Sequence, residues 1–320
     1  MTLSVCIPVY NGVETIGPLV EEVGRTLSGI DHEVILVNDG SSDDSDVVCR
    51  EITKSRSNVT YICLRRNFGE HNAVLCALTF CKGDFAAIID DDFQNPPAEI
   101  VTLLNEAKKG YDVVYSKYHK KKHSPLRNLG SWFTNRVATA LIRKPKNLYL
   151  SSFKVIARPL IEEITKYHGP FPYIDGLLLR ATSSVSSVCV EHRRRSGGRS
   201  NYNLARLVSL WLNMFVNFSI RPLRMISILG ISASCISLVL AVMFLIEKIR
   251  DPGTPAGWAS IAILVLFLGG IQTFSLGIIG EYIGKNYLDR NGTPQWTIKT
   301  IVRSYAESST KSSASTSSAR

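Results

Sequence analysis

Three consecutive carboxylates, Asp90-Asp91-Asp92, follow the apolar run that ends in Ile88-Ile89 and open the turn Phe93-Gln94-Asn95-Pro96-Pro97. Like charges this close repel, so at least one must face a cation or hold its proton unusually tightly. Carboxylate and amide oxygens are hard ligands that suit Mg²⁺ or Mn²⁺, and Mg²⁺ commonly takes one or two carboxylates together with substrate phosphates. Residues 85–90 read as a buried strand, which places the cluster beyond a strand's carboxyl end, where open α/β sheets bind ligands. The competing reading is a solvated acidic loop that caps the next helix.

The elements around the cluster decide between these. Residues 4–9, 33–38, 60–64, 85–90 and 112–116 carry strand patterns; 13–27, 43–55, 70–81 and 97–108 carry helical ones. This alternation predicts βαβ units, right-handed crossovers and a mostly parallel sheet in a Rossmann-like α/β domain. The first three strands end in polar loops: Pro8-Val9-Tyr10-Asn11-Gly12, Asn38-Asp39-Gly40-Ser41-Ser42-Asp43 and Arg65-Arg66-Asn67-Phe68-Gly69. Read locally, Asp39-Gly40-Ser41 is a turn into a helix, with Asp43 and Asp44 complementing its N-terminus. Polar loops and acids along one sheet edge suit a nucleotide whose phosphates are held through a metal. Neither a P-loop nor G-x-G-x-x-G is present, which disfavours those modes.

The chain has 320 residues, 45% hydrophobic and 20% charged, which excludes general disorder. Its formal charge of +10 points to acidic partners: nucleic acid, anionic lipid or phosphorylated substrates. The seven cysteines form neither a zinc pattern nor a disulfide framework, as expected in a reducing compartment. No signal peptide is expected, since Leu3 to Ile7 already reads as a strand. Residues 225–246 and 258–280 contain no charged side chain over 22 and 23 residues, lengths that predict a transmembrane hairpin. Arg206, Arg221 and Arg224 precede it; Lys285, Arg290, Lys299 and Arg303 follow it. Basic flanks predict that both ends stay cytoplasmic, with a multi-pass membrane anchor. Membrane attachment disfavours a nucleic-acid role.

Two further stretches are strongly basic. Residues 117–122 fit a solvated charge run, whereas 125–141 place Leu126, Leu129, Trp132, Phe133, Val137 and Leu141 at helical spacing beside arginines, which suits a membrane interface. The second is His192-Arg193-Arg194-Arg195-Ser196-Gly197-Gly198-Arg199-Ser200-Asn201-Tyr202. Residues 204–220 fit a core or an interfacial helix, and Trp211 with Arg221 and Arg224 favours the second. Asp175 reads equally as a cap of helix 176–181 or as a substrate contact. Residues 308–320 are Ser-rich and read as a disordered tail. The predicted organisation is 1–203 catalytic, 204–224 interfacial helix, 225–280 hairpin, 281–307 cytoplasmic segment and 308–320 tail.

Pro8-Val9-Tyr10-Asn11, Asn38 to Asp43, Arg66-Asn67-Phe68-Gly69 and Asp90 to Pro97, in that order, resemble glycosyltransferase family 2, and more narrowly its polyprenyl-phosphate transferases. The family's acidic motif has the form D-x-D-x-Q-x-P-P, which Asp90, Asp92 and Gln94 match. The resemblance implies a GT-A-type domain that transfers sugar from a nucleotide sugar, with UDP expected, to undecaprenyl phosphate. It puts Pro8, Tyr10, Asn11, Glu14, Asp39, Asp91 and Asp175 around the donor. Asp92 and Gln94 face a Mg²⁺ or Mn²⁺ ion, with Asp90 beside it. Arg127, Arg136, Arg195 and Ser200 fall to the acceptor phosphate, and Asp90, Asp92, Arg127 and Arg195 form the catalytic set. It also implies a homo-oligomer, a tetramer in related enzymes. Relatives often carry Ala where Asp91 stands, which makes Asp91 dispensable in this scheme. Gly12, Leu148 and Asn201 depart from the family's Glu, Asp and Lys. Competing functions are transfer to a glycan acceptor and a catalytically inactive scaffold.

Overall fold

The protein is described by a computed structural model covering residues 2–118, 148–191, 221–250 and 257–303. Arg127, Arg136, Arg195, Ser200 and Asn201, the helix expected over 204–220 and the tail lie outside the described residues. Two compact units emerge: residues 1–202 with 293–320, and residues 203–292.

The first unit is a mixed sheet of eight strands, β1 (Leu3–Val9), β2 (His32–Asn38), β3 (Val59–Leu64), β4 (Phe85–Ile88), β5 (Val113–Tyr118), β6 (Lys154–Ala157), β7 (Val185–Val190) and β8 (Ile298–Arg303). Their order across the sheet is β7-β5-β6-β4-β1-β2-β3-β8. Helices α1 (Ile16–Thr26), α2 (Ser45–Ser55), α3 (Glu70–Phe80), α4 (Ala98–Ala107), α5 (Arg158–Ile164) and α6 (Ile174–Ala181) connect them. Every residue of β1 is buried, the mark of a strand covered on both faces. Leu3, Val5, Ile7 and Val9 meet α1, α2 and α4 in one apolar cluster, while Cys6 joins α3, α5 and α6 in the other. Helix α3 is buried continuously from Asn72 to Leu78, as a helix that is apolar almost all round must be.

The predicted parallel core is present: β1 pairs with β2 and β4, β2 with β3, and β5 with β7, all parallel. Three corrections follow. β4 ends at Ile88 rather than at residue 90, leaving Asp90 in the loop. β6 is inserted antiparallel between β4 and β5, a strand of only four residues that opens on a buried lysine and was not read from the sequence. β8 pairs antiparallel with β3, so the segment expected only as a cytoplasmic extension returns to complete the sheet.

The second unit contains α7 (Arg221–Arg250) and α8 (Trp258–Arg290). Residues 221–224, assigned to an interfacial helix in the sequence, begin α7, and α8 runs on past residue 280 to Arg290. Among the described residues no helix is long and apolar enough to cross a membrane.

Candidate active site

The carboxyl ends of β1, β2, β3 and β4 gather the acidic and polar loops along one edge of the sheet, and the three adjacent aspartates diverge there. Ser152 Oγ donates to Asp90 Oδ2 at 2.5 Å, turning Asp90 toward the start of β6. Asp91 points the other way, with Tyr10 N donating to its Oδ2 at 3.4 Å. Asp92 folds into its own loop, where Gln94 N donates to its Oδ1 at 3.1 Å. Between them Phe93 adopts φ 58°, a left-handed conformation that a bulky residue holds only when its surroundings enforce it. Its side chain packs against the core beneath the turn.

The far end of the acidic loop is fixed by hydroxyls. Tyr118 OH donates to Asn95 Oδ1 at 2.7 Å and lies 3.0 Å from Ser151 Oγ, which accepts from Ser116 Oγ at 2.7 Å. Asn95, Ser116 and Ser151 are all buried, so each bond forms away from competing water.

The neighbouring loops are equally tied. Asp39 Oδ1 accepts from Phe68 N at 2.7 Å and Oδ2 from Gly69 N at 2.9 Å, so this carboxylate stitches the β2 loop to the approach of α3. Burial raises the Asp39 pKa, while the two backbone donors pull it down. Asn11, at φ 54°, accepts from Ser42 N at 2.9 Å and donates its own N–H to Ser41 Oγ at 3.0 Å. Pro8 is buried at the end of β1, Tyr10 is 51% exposed, and Glu14 is exposed with no described contact to the acidic loop. Leu148, where the resemblance places an acid, is buried among apolar side chains.

A second layer, of which the sequence reading named only Asp175, lies on the face covered by α3 and α6. Lys154 stands opposite Ile88 on β4 and Tyr115 on β5. Residues paired across strands share a face, which puts Ile88 and Tyr115 on the same side as Lys154. Lys154 Nζ donates to Asp175 Oδ1, which also accepts from Tyr115 OH at 3.0 Å. The Asp175 carboxylate is thus committed to a buried ion pair rather than to capping α6. Glu70 opens α3 exposed to solvent, yet partial desolvation by the surrounding protein first and the Asp90 charge second push its pKa up to about 7. Burial holds the adjacent His71 down to about 4, and its ring meets Tyr173 edge-on at 5.1 Å. The signal for this layer was a lone Lys154 inside Ser151-Ser152-Phe153-Lys154-Val155-Ile156, and a Glu immediately after the third polar loop.

Among the described residues no group of three or more His, Cys, Asp or Glu is placed to hold a metal by itself. The carboxylate and amide oxygens of Asp90, Asp92 and Gln94 are hard donors, a chemistry that suits Mg²⁺ or Mn²⁺.

Residues 4–164 match the family model Glycosyl transferase family 2. The chain is 30% identical over 316 residues to an undecaprenyl-phosphate 4-deoxy-4-formamido-L-arabinose transferase of Pseudomonas syringae pv. syringae (strain B728a), covering 97% of this chain and 94% of that protein. The transferase of the same name from Enterobacter sp. (strain 638) is 30% identical over 314 residues, covering 97% and 96%. The fold is that of glucosyl-3-phosphoglycerate synthase from Mycobacterium tuberculosis, solved with Mn²⁺, uridine diphosphate and phosphoglyceric acid. That match has a TM-score of 0.51 at 21% identity and covers 65% of this chain and 74% of the other. A parallel-centred GT-A-like sheet with acidic strand-end loops is the fold these comparisons share. The chain belongs to glycosyltransferase family 2.

Proposed function

We propose that this chain transfers a sugar from a nucleoside diphosphate sugar, with uridine as the nucleoside, to undecaprenyl phosphate at the cytoplasmic face of a bacterial membrane. The observation that carries the reading is the near full-length similarity to transferases named for undecaprenyl phosphate. The sugar in those names, 4-deoxy-4-formamido-L-arabinose, is the first donor to test. Relatives of the fold solved with uridine diphosphate and Mn²⁺ or Mg²⁺ are compatible with this donor and with a metal requirement.

In this reading Tyr10 offers its exposed ring to the base, and Pro8, Asn11 and Asp39 shape the loops around it. Asp92 and Gln94, with Asp90 alongside, hold the divalent ion, which supplies charge neutralisation to the diphosphate. Asp90 is oriented by Ser152, and Asp92 by the turn at Phe93. The acceptor is a phosphate monoester whose second pKa is near 6, so it is already an anionic nucleophile at neutral pH. No general base is needed, which agrees with an Asp175 committed to Lys154. Attack opposite the leaving diphosphate inverts the anomeric centre, and rate comes from positioning. Arg127, Arg136, Arg195 and Ser200 are assigned to the acceptor phosphate, arginine being suited by its planar fork.

The reading of a membrane hairpin rests on the sequence alone, where 225–246 and 258–280 carry no charged side chain over 22 and 23 residues. We assign them to a hairpin, and assembly as a tetramer belongs to the same proposal. The test is incubation of the purified full chain with undecaprenyl phosphate, Mg²⁺ and a panel of labelled nucleotide sugars. Chloroform-extractable label is expected with at least one donor and is lost in EDTA. No label with any donor sinks the reading.

A further inference from the structure

The middle aspartate of the triplet has a place of its own. A Cβ built on Gly12 would lie 2.3 Å from Asp91 Oδ2 and 3.1 Å from Asp91 Cγ, whereas its next neighbour, Thr15 Oγ1, is 3.3 Å away. The carboxylate therefore occupies the space that any other residue at position 12 would fill, and from there its Oδ2 faces Tyr10 N. The opposite side of the same loop is held by the turn after β2. Asn11 N donates to Ser41 Oγ at 3.0 Å, Gly12 N to Ser45 Oγ at 3.0 Å and Val13 N to Asp43 Oδ2 at 3.2 Å. Residues 10–13 are thus clamped between the β2 turn and a single carboxylate arriving from the acidic loop.

We infer that Asp91 is a positioning residue for nucleotide recognition, interlocked with Gly12 and acting through the main chain of Tyr10. Asp90 turns to Ser152 and Asp92 to Gln94, so Asp91 is the member of the triplet that reaches the β1 loop. What it positions is an aromatic ring with half its surface open, a platform for the flat face of a nucleobase. The ligand class is a nucleoside diphosphate, and the inference rests on the nucleotide-sugar reading proposed above.

The test is titration of the detergent-purified full chain with UDP and Mn²⁺, with GDP in parallel, for wild type, Asp91→Ala, Asp91→Asn, Gly12→Ala and the Gly12→Ala/Asp91→Ala double variant. Overpacking at position 12 should weaken UDP about tenfold or more in Gly12→Ala. Asp91→Ala should weaken it by several-fold, with the loss falling on donor KM more than on kcat. Asp91→Asn keeps an acceptor oxygen and should recover most of that affinity, which a general packing defect would not. The double variant should bind no worse than Asp91→Ala alone, because the obstruction has been removed. Unchanged UDP affinity in Asp91→Ala, or losses that simply add in the double variant, overturns the interlock. If Gly12→Ala does not fold, the comparison of Asp91→Ala with Asp91→Asn decides it. A wild type that binds neither nucleotide overturns the nucleotide reading, and this inference with it.

Discussion

Lys154 and Asp175 form an ion pair beneath the acidic loop, with only 3% and 7% of their surfaces exposed. Removing one partner leaves a buried charge uncompensated. Asp175→Ala should destabilise the domain by about 3–5 kcal/mol, whereas Lys154→Met combined with Asp175→Leu should recover most of that loss. Chemical denaturation followed by tryptophan fluorescence measures both. A stable Asp175→Ala protein that lacks only transfer would instead restore Asp175 as a substrate contact.

With Asp92 as the proposed metal ligand, Ser152 and Asp92 would separate orientation from metal binding. Asp92→Ala should abolish transfer. Ser152→Ala removes only the hydroxyl that aims Asp90 and should lower the rate about tenfold, since small misplacements at a reacting centre are costly. Initial rates across a Mg²⁺ series check this: the serine variant should need more Mg²⁺, while no concentration rescues Asp92→Ala.

Glu70 and His71 oppose each other in pH dependence. In metal-free protein the unfolded chain protonates His71 below 6.5 but the folded chain only below about 4. Stability from this group is therefore complete above pH 6.5 and declines as pH falls toward 4, by up to about 3 kcal/mol. Glu70 runs the other way: its folded value near 7 lies above the ordinary 4.5, so folding takes up a proton and stability rises as pH falls through that window. Glu70→Gln should expose the His71 decline, and His71→Asn the Glu70 rise. Melting temperatures between pH 4 and 7.5 in EDTA read both slopes, and parallel curves for all three proteins would refute the pairing.

Gly40 is held at φ +66°, where an added Cβ would meet Arg66 C at 2.5 Å and Asn67 N at 2.6 Å. Backbone atoms cannot swing aside as a side chain can. Gly40→Ala should cost about 2 kcal/mol or more and loosen the segment whose Phe68 and Gly69 N–H groups bond Asp39. Hydrogen exchange at those two amides should quicken in the variant, and unchanged protection would contradict the coupling.

The parallel core was legible because it is written in local patterns. β1 to β5 are short runs rich in apolar residues, and α1, α2 and α4 carry their amphipathic spacing in the sequence, while α3 reads as a continuous apolar stretch. β6 was not, because a four-residue strand that opens on a lysine makes sense only once Asp175 is known to pair with that lysine. β8 alternates cleanly, yet its partner β3 lies more than two hundred residues earlier. At the site, the acidic motif named Asp90, Asp92 and Gln94, but Gly12 and Asp91 read as two unrelated departures. Only the distance between them makes them one feature. Leu148 likewise looked like a lost acid and is a core residue.

β8 also sets an order of events. Ribosomal synthesis delivers the strands from β1 to β7 first, then α7 and α8, and only after them the strand that covers β3. Until then β3 presents an open row of backbone donors and acceptors to any passing strand. The sheet is thus finished only after the whole of the second unit has been made. A truncated or stalled chain should accordingly reveal itself by self-association rather than by loss of its internal fold.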